Sequence, residues 1–303
     1  MNAIFAFEGQ GSVIPGMGKK EYERNDIFRK RFDEVCNVIG EDIREICWGK
    51  ERFKLKSNPY YAHLAIFAGD YALFHVLLEK GYEPLYLIGH SLGEILAIII
   101  GGALSLEEGA SLIKLRGRLF WDNMNDSNSE MVALIGNSSS LERVIVELKN
   151  DFEIYIANEN TPKQIVISCS KKDINNIIAY CLSKKVRPVK LGIGNGCHSP
   201  LVKSLEQPLN ELIEDLTFRK PKFKIFSCSF VRELDSPEEI KQYTKKHLLT
   251  SVKFRESMTW LWNKGCRNYI VIGFSKVVKG LILENYPHAK VQLGTHLMWG
   301  EKK

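Results

Sequence analysis

Residues 84–104, PLYLIGHSLGEILAIIIGGAL, constrain the fold more than any other segment of the chain. The first five residues form a short apolar run that predicts a buried strand. A glycine-rich turn follows at once, and the apolar run over residues 95–104 predicts a buried helix, because it is too short to span a bilayer. A strand that passes through a tight turn into a helix indicates an α/β fold with a parallel sheet.

The turn between that strand and helix has the pattern Gly-x-Ser-x-Gly, in Gly89-His90-Ser91-Leu92-Gly93. In such an elbow the serine hydroxyl projects into a cleft, and the two glycines leave room for the sharp bend. The N–H of Leu92 would lie at the helix N-terminus, where hydrogen bonding and the helix dipole stabilise an oxyanion. The pattern therefore predicts Ser91 as a nucleophile.

A nucleophilic serine needs a base, which is usually histidine. The chain has seven histidines: His63, His75, His90, His198, His247, His288 and His296. We favour His198, because it lies in a glycine-containing loop just before a predicted helix, and catalytic groups collect on loops that rigid elements support. His90 is next to Ser91, but neighbours on a tight turn point apart, so His90 is expected to line the pocket.

The remaining pattern predicts one large domain with a small insertion. A 3.6-residue apolar period predicts a helix over residues 61–80, which Gly81 ends, and a further helix is expected over residues 106–124. Residues 127–194 show the order βαββαβ, with strands at 131–135, 152–157, 164–169 and 186–193. We predict a large α/β-hydrolase-like domain with a parallel sheet, residues 1–126 and 195–303, and an inserted ferredoxin-like subdomain, residues 127–194. A helix is expected over residues 200–214.

Composition narrows the class of protein. The seven cysteines are odd in number and form no CxxC pair, which argues against a disulfide framework or structural zinc and suggests a reducing cytoplasm. The N-terminus lacks the features of a secretory signal. The net charge of +6 suits an acidic partner, but no basic stripe interleaved with aromatics predicts nucleic-acid binding. No membrane partner is expected.

Several motifs together resemble one family, the malonyl-coenzyme A:acyl carrier protein transacylases and the acyltransferase domains of polyketide synthases. The resemblance extends over nearly the whole chain, to about residue 296. It rests on Gly9-Gln10-Gly11-Ser12, on Gly89-His90-Ser91-Leu92-Gly93-Glu94, on Arg116-Gly117, which stands 25 residues after Ser91, on the segment with Asn158, Asn160, Pro162 and Gln164, on His198-Ser199, and on residues 273–278, GFSKVV.

The resemblance implies a ping-pong acyl transfer. His198 would take the proton of Ser91, and the backbone N–H groups of Leu92 and Gln10 would hold the oxyanion. A backbone carbonyl in residues 250–254 would orient the histidine. Arg116 would bind the free carboxylate of a malonyl-type acyl group, since a guanidinium presents a planar fork to a carboxylate.

The same resemblance implies the substrates and partners. The acyl donor would be an acyl-CoA or an acyl-carrier thioester, and the acceptor would be the phosphopantetheine thiol of an acyl carrier protein. No cofactor or metal is expected, and a monomer is the expected state.

Departures from the family pattern leave the acyl group open. Glu8 replaces the usual proline, and residues 61–63, YAH, replace a stretch that helps line the acyl pocket. Asn195-Gly196-Cys197-His198 matches neither HAFH nor YASH, and we expect Asn195, Cys197 and Asn160 in the acyl pocket. A polar Asn195 suggests a free-standing enzyme of polyketide or hybrid peptide synthesis that takes malonyl, or an unusual extender such as hydroxymalonyl or aminomalonyl.

Three rival functions remain at this point. A hydrolase of the same family would release stalled acyl groups to water, although such enzymes tend to lack the arginine. An ordinary α/β-hydrolase would carry an HGGG-type oxyanion segment, which this sequence lacks. A module that only docks a carrier protein would not need Ser91, His198, Gln10 and Arg116 together.

Overall fold

The computed structural model describes residues 2–192 and 195–300. The strands are β1 (Asn2–Phe7), β2 (Glu83–Gly89), β3 (Ser129–Ile135), β4 (Ile154–Thr161), β5 (Gln164–Ser170), β6 (Arg187–Lys190), β7 (Ile225–Ser227), β8 (Arg232–Leu234), β9 (Asn268–Ile272) and β10 (Lys290–Leu293).

The helices are α1 (Lys19–Arg24), α2 (Asp26–Ile39), α3 (Ile43–Trp48), α4 (Pro59–Glu79), α5 (Leu92–Ile100), α6 (Leu106–Asp126), α7 (Ser138–Asp151), α8 (Ile174–Ser183), α9 (Glu206–Asp215), α10 (Pro237–Lys246), α11 (Phe254–Asn263), α12 (Val277–Asn285) and α13 (Gly294–Met298). Short 3₁₀ helices cover Gln10–Ser12, Lys50–Lys56, Pro200–Leu205 and His247–Leu249.

The larger sheet has six strands in the order β10-β9-β1-β2-β7-β8. All neighbours in it run parallel except β7 and β8. The order confirms the predicted parallel α/β sheet. It also places the carboxyl ends of β1 and β2 side by side, since Phe7 pairs with Gly89. Loops that follow these two strands therefore meet at one edge, where α/β proteins build their ligand sites.

Helix α4 is the central helix of the larger part of the molecule. It is long and apolar enough to cross a membrane by length and composition alone. Most of its residues are buried against α2, α6 and the sheet, as in the core helix of a globular fold. Asn58 caps its start by accepting from the Tyr61 N–H, and Gly81, at φ 79°, lets the chain turn back at its end.

The smaller sheet is antiparallel, in the order β4-β5-β3-β6, and β3-α7-β4-β5-α8-β6 is the predicted ferredoxin-like arrangement. One face packs on α7 and α8. Met131, Ala133 and Val166 on the other face belong to the same core cluster as α4 and α5. A parallel bridge from Asn158 to Val252 also joins β4 to the larger part. We propose that residues 127–194 form a subdomain defined by chain order and strand connections. They do not form a separately packed domain, because side chains of the two sheets share one hydrophobic core.

Three predicted elements differ from the structure. The strand expected over residues 152–157 is β4, Ile154–Thr161, which begins two residues later and ends four residues later. The helix expected over residues 200–214 is split into Pro200–Leu205 and α9, because Pro208 lacks an N–H and is tolerated only in the first turn of a helix. The strand expected over residues 186–193 is the shorter β6, Arg187–Lys190, and residue 193 lies outside the described part of the chain.

Candidate active site

The turn between β2 and α5 holds Ser91 in an unusual backbone conformation, with φ 54° and ψ −114°. A Cβ on Gly89 would come within 2.0 Å of the Gly93 carbonyl carbon, and a Cβ on Gly93 within 2.4 Å of the Phe7 carbonyl oxygen. Both positions therefore require glycine. The left-handed φ of Ser91 is the kind of strain that functional sites retain, and its side chain lies on the wall of a cavity.

His198 lies directly opposite the serine. Its Nε2 is 2.8 Å from Ser91 Oγ, and its Nδ1 donates to the carbonyl of Thr250 at 2.9 Å. The carbonyl can only accept, so the ring proton is on Nδ1 and Nε2 is free to take the serine proton. Burial, followed by the neighbouring His247 and Arg116, holds the pKa of His198 well below its ordinary value. The imidazole is therefore a neutral base.

The buried carboxylate of Glu94 lies next to His247, which in turn packs against His198. The sequence did not predict the partners of this carboxylate. Glu94 Oε2 accepts from the Cys228 N–H at 2.8 Å and from the Tyr243 hydroxyl, and Oε1 accepts from Ser229 Oγ at 2.8 Å. Burial raises its pKa, but His247 and the hydroxyl donors outweigh burial and leave the pKa below its ordinary value. The His247 ring stands perpendicular to the His198 ring, with centroids 5.3 Å apart.

The Gly9-Gln10 loop lies beside the elbow. The His90 N–H donates to the Phe7 carbonyl, and a Cβ on Gly9 would come within 2.7 Å of the His90 carbonyl oxygen. Gln10 lines the same cavity as Ser91. Leu92 is the first residue of α5, so its N–H belongs to the open end of that helix. The structure thus places Leu92 directly after Ser91 at the start of α5, and Gln10 on the same cavity as Ser91.

His90 and Asn160 also lie on the cavity wall. His90 Nε2 is 2.7 Å from Asn160 Oδ1, and Asn160 Nδ2 donates to Gln164 Oε1 at 2.7 Å. Because the amide oxygen accepts, the His90 proton is on Nε2. Burial lowers the pKa of His90, so this ring too is neutral. The chain of hydrogen bonds fixes the strand β4 edge against the elbow.

Arg116 is buried, and its guanidinium stacks on the Phe120 ring at 4.5 Å. Among the described residues no acidic side chain lies within ion-pair distance of it. Burial lowers the pKa of Arg116 to about 10. Arg116 is not itself among the residues that line the cavity, but Phe120, on which its guanidinium stacks, is one of them. A buried cation without a counter-ion is costly, so it favours binding of an anion.

Of the two remaining predicted pocket residues, one lies elsewhere. Asn195 is fully buried, its Nδ2 donates to the Phe120 carbonyl at 2.9 Å and its Oδ1 accepts from Asn123. The prediction that Asn195 makes the acyl pocket polar is therefore wrong, because both polar groups are used to hold the loop to α6. Cys197 does line the cavity, and burial raises the pKa of its thiol to about 12.

The cavity itself has a volume of about 380 Å³. Its lining combines the polar groups described above with apolar side chains from the smaller sheet and α12, namely Met131, Ala133, Ile135, Val166, Val189, Leu191, Val277, Val278 and Leu281. Within the described part of the chain, no three His, Cys, Asp or Glu side chains lie together as metal ligands would.

Comparisons with known proteins agree with this chemistry. The pattern of the acyl transferase domain family matches residues 4–283. A malonyl CoA-acyl carrier protein transacylase of Staphylococcus aureus is 30% identical over 281 residues, which cover 91% of this chain and 90% of that protein. The polyketide biosynthesis protein PksE of Bacillus subtilis is 27% identical over 92% of this chain but only 36% of its own length.

A solved structure shows the same fold over the whole length. The acyl-carrier-protein-S-malonyltransferase of Bartonella henselae superposes with a TM-score of 0.87 at 27% identity, covering 98% of this chain and 97% of that one. Because the family pattern spans nearly the whole sequence, this protein belongs to the acyl transferase domain family and is an acyltransferase.

Proposed function

We propose that this enzyme transfers a malonyl-type acyl group from a CoA or carrier-protein thioester to the phosphopantetheine thiol of an acyl carrier protein, through an acyl group on Ser91. One observation carries the proposal: the Ser91–His198–Thr250 hydrogen-bonded line opens on a cavity behind which a buried Arg116 has no counter-ion among the described residues. The names of the whole-length relatives support both the acyl group and the carrier-protein acceptor.

In the first half-reaction His198 Nε2 removes the proton of Ser91 Oγ as the oxygen attacks the thioester carbonyl. The N–H groups of Leu92 and Gln10 stabilise the oxyanion of the tetrahedral intermediate. The imidazolium is stabilised by the Thr250 carbonyl and returns its proton to the leaving thiolate. The thiol of the carrier protein reverses these steps, and His198 acts as base for that thiol.

Arg116 selects the acyl group in this proposal. A carboxylate at the far end of the acyl chain would neutralise the charge of the Arg116 guanidinium. This ion pair would be strong, because the buried guanidinium is largely shielded from water. The unusual-extender alternative loses its main support, because Asn195 does not reach the cavity. We therefore favour plain malonyl. Polyketide or hybrid peptide synthesis stays the proposed pathway, and the likeness to the polyketide biosynthesis protein PksE over 92% of this chain supports its polyketide part.

Intact-protein mass spectrometry tests the proposal. We expect incubation with malonyl-CoA to add one malonyl group to the wild-type protein and none to Ser91→Ala, with acetyl-CoA as the comparison donor. Addition of a phosphopantetheinylated carrier protein should then move the label to the carrier. Release of free malonate instead would favour the hydrolase alternative, and equal labelling of Ser91→Ala would refute Ser91 as the acyl carrier.

A further inference from the structure

His63, on the first turns of α4, joins the two ends of the candidate site. Its Nε2 lies 3.1 Å from Arg116 Nη1 and 3.0 Å from Gln10 Oε1. The ring is fully buried and packs against Phe120, with centroids 5.4 Å apart. One ring nitrogen therefore faces both the group that would bind the acyl carboxylate and the residue whose backbone would hold the oxyanion.

The chemistry of the partners decides where the ring proton is. A guanidinium can only donate, so a nitrogen at 3.1 Å from Nη1 must present its lone pair. The proton is then on Nδ1, which is buried, has no hydrogen-bond partner within the described part of the chain, and faces the Gly117 backbone in α6. The opposite tautomer would leave Nδ1 equally unpaired and would also set two donors against each other.

The same lone pair determines how Gln10 is oriented. An amide oxygen facing a lone pair would be repelled, and the oxygen and nitrogen of an amide are interchangeable by a half-turn of its side-chain end. The Gln10 nitrogen therefore faces His63, and two donors share one lone pair. Arg116 keeps its other N–H donors, and a carboxylate fork needs two of them.

Resting on the proposed function, we propose that His63 is a positioning residue: as a neutral Nδ1-protonated imidazole it accepts from Arg116 through its Nε2 lone pair, which the Gln10 side chain shares, and so holds the guanidinium in place for the acyl carboxylate. Arg116 has no acidic partner among the described residues, so His63 is the acceptor that keeps the guanidinium in place before the acyl group arrives. Loss of the acceptor should then affect carboxylated acyl groups selectively.

Kinetics of Ser91 acylation test the selectivity. We expect His63→Leu to lower kcat/KM for malonyl-CoA by about 10- to 100-fold, the range for a lost hydrogen bond to a charged group, and to change the value for acetyl-CoA by less than about threefold. His63→Gln restores an acceptor and should recover most of the loss. In an Arg116→Leu background His63→Leu should have little further effect, because His63 acts through that arginine.

His75→Gln is the matched control, since His75 lies on the same helix, packs on Tyr71 and Phe74, and lies away from the cavity. Labelling of Ser91 by a fluorophosphonate reports whether each variant keeps a folded, activated serine without needing Arg116. An equal fall for malonyl-CoA and acetyl-CoA in His63→Leu would reduce His63 to a structural residue and overturn the proposal.

Nitrogen-15 NMR of histidine-labelled protein reads the tautomer directly, with His63→Gln identifying the signal. We expect a neutral ring with its proton on Nδ1 at pH 7, and a proton on Nε2 or a cationic ring would overturn the proposal. This measurement needs no turnover. A wild-type protein that accepts no malonyl group would therefore contradict the proposed function while the assignment of His63 is still tested.

Discussion

The cavity has two walls of different construction. The wall from the larger sheet carries Gln10, His90 and Ser91, and hydrogen bonds or glycine contacts fix each of these residues in place. The wall from the smaller sheet presents aliphatic side chains such as Ala133 and Val166, which packing holds, beside the hydrogen-bonded Asn160 and Gln164. The comparison teaches that the reaction depends on the hydrogen-bond geometry of the first wall, whereas the size of acyl group accepted depends on the cavity volume that the second wall leaves. Each wall can be broken separately.

The largest effect should come from the hydrogen-bonded side of the cavity, where His198 faces Ser91. His198→Ala removes the base, and we expect the rate of acylation of Ser91 to fall by about 10²- to 10⁴-fold. Because the pKa of His198 is held well below 6.5, mainly by burial, the wild-type rate should fall with acidification only below pH 6.5. Stopped-flow acylation across pH measures both. A loss of less than tenfold in the variant would assign the base elsewhere.

Next in size should be the effect of the carboxylate behind that wall. Glu94→Gln leaves buried donors without a charged acceptor, and we expect the free energy of unfolding at pH 7 to fall by about 2–4 kcal/mol. The lowered pKa of Glu94 means that its stabilisation is present above its ordinary value of 4.5 and lost as pH falls through its folded pKa. Urea unfolding at several pH values should show the gap closing in acid.

The apolar wall should respond more mildly and in a different quantity. Val166→Ala enlarges the cavity by two methyl groups, and we expect kcat/KM for methylmalonyl-CoA relative to malonyl-CoA to rise by about tenfold at most. The rate with malonyl-CoA should change little, because no hydrogen bond is lost. Competition between the two donors, read by mass spectrometry, measures the ratio. A large fall for malonyl-CoA would show that this wall also positions the reacting carbonyl.

The smallest expected effect concerns Asp70, a buried carboxyl on α4 whose oxygens have no hydrogen-bond partner among the residues that the structure describes. Burial, with a contribution from Glu8, raises its pKa well above 3.8. A raised folded pKa destabilises the protein as pH rises above the unfolded value. Asp70→Asn should therefore stabilise it by about 0.5–2 kcal/mol at pH 7, with the gain disappearing near pH 4. Calorimetry at both pH values measures it, and a loss of stability at pH 7 would show that the Asp70 carboxyl makes a favourable interaction in the folded protein.

Glu8 shows how far local sequence could be read. It departs from the family proline, and nothing nearby in sequence explains a buried acid. In the structure its carboxylate accepts from Ser275 Oγ at 2.6 Å, the Ser275 N–H at 2.9 Å and the Val278 N–H at 3.3 Å. The acid thus caps α12 and pins the Gln10 loop to the opposite wall. Those partners are some 270 residues away, beyond any local pattern.

What the sequence by itself determined was the elbow, the parallel sheet and the ferredoxin-like insertion, because apolar periodicity and glycine geometry are local properties. It also supplied the candidates Ser91, His198, Gln10 and Arg116, through motif resemblance. Only the tertiary structure decided that Asn195 is turned away from the cavity, that Glu94 and His247 lie behind His198, and that His63 lies between Arg116 and Gln10. The physical reason is that burial and hydrogen-bond partners depend on contacts between distant segments, whereas an isolated residue type is compatible with several environments.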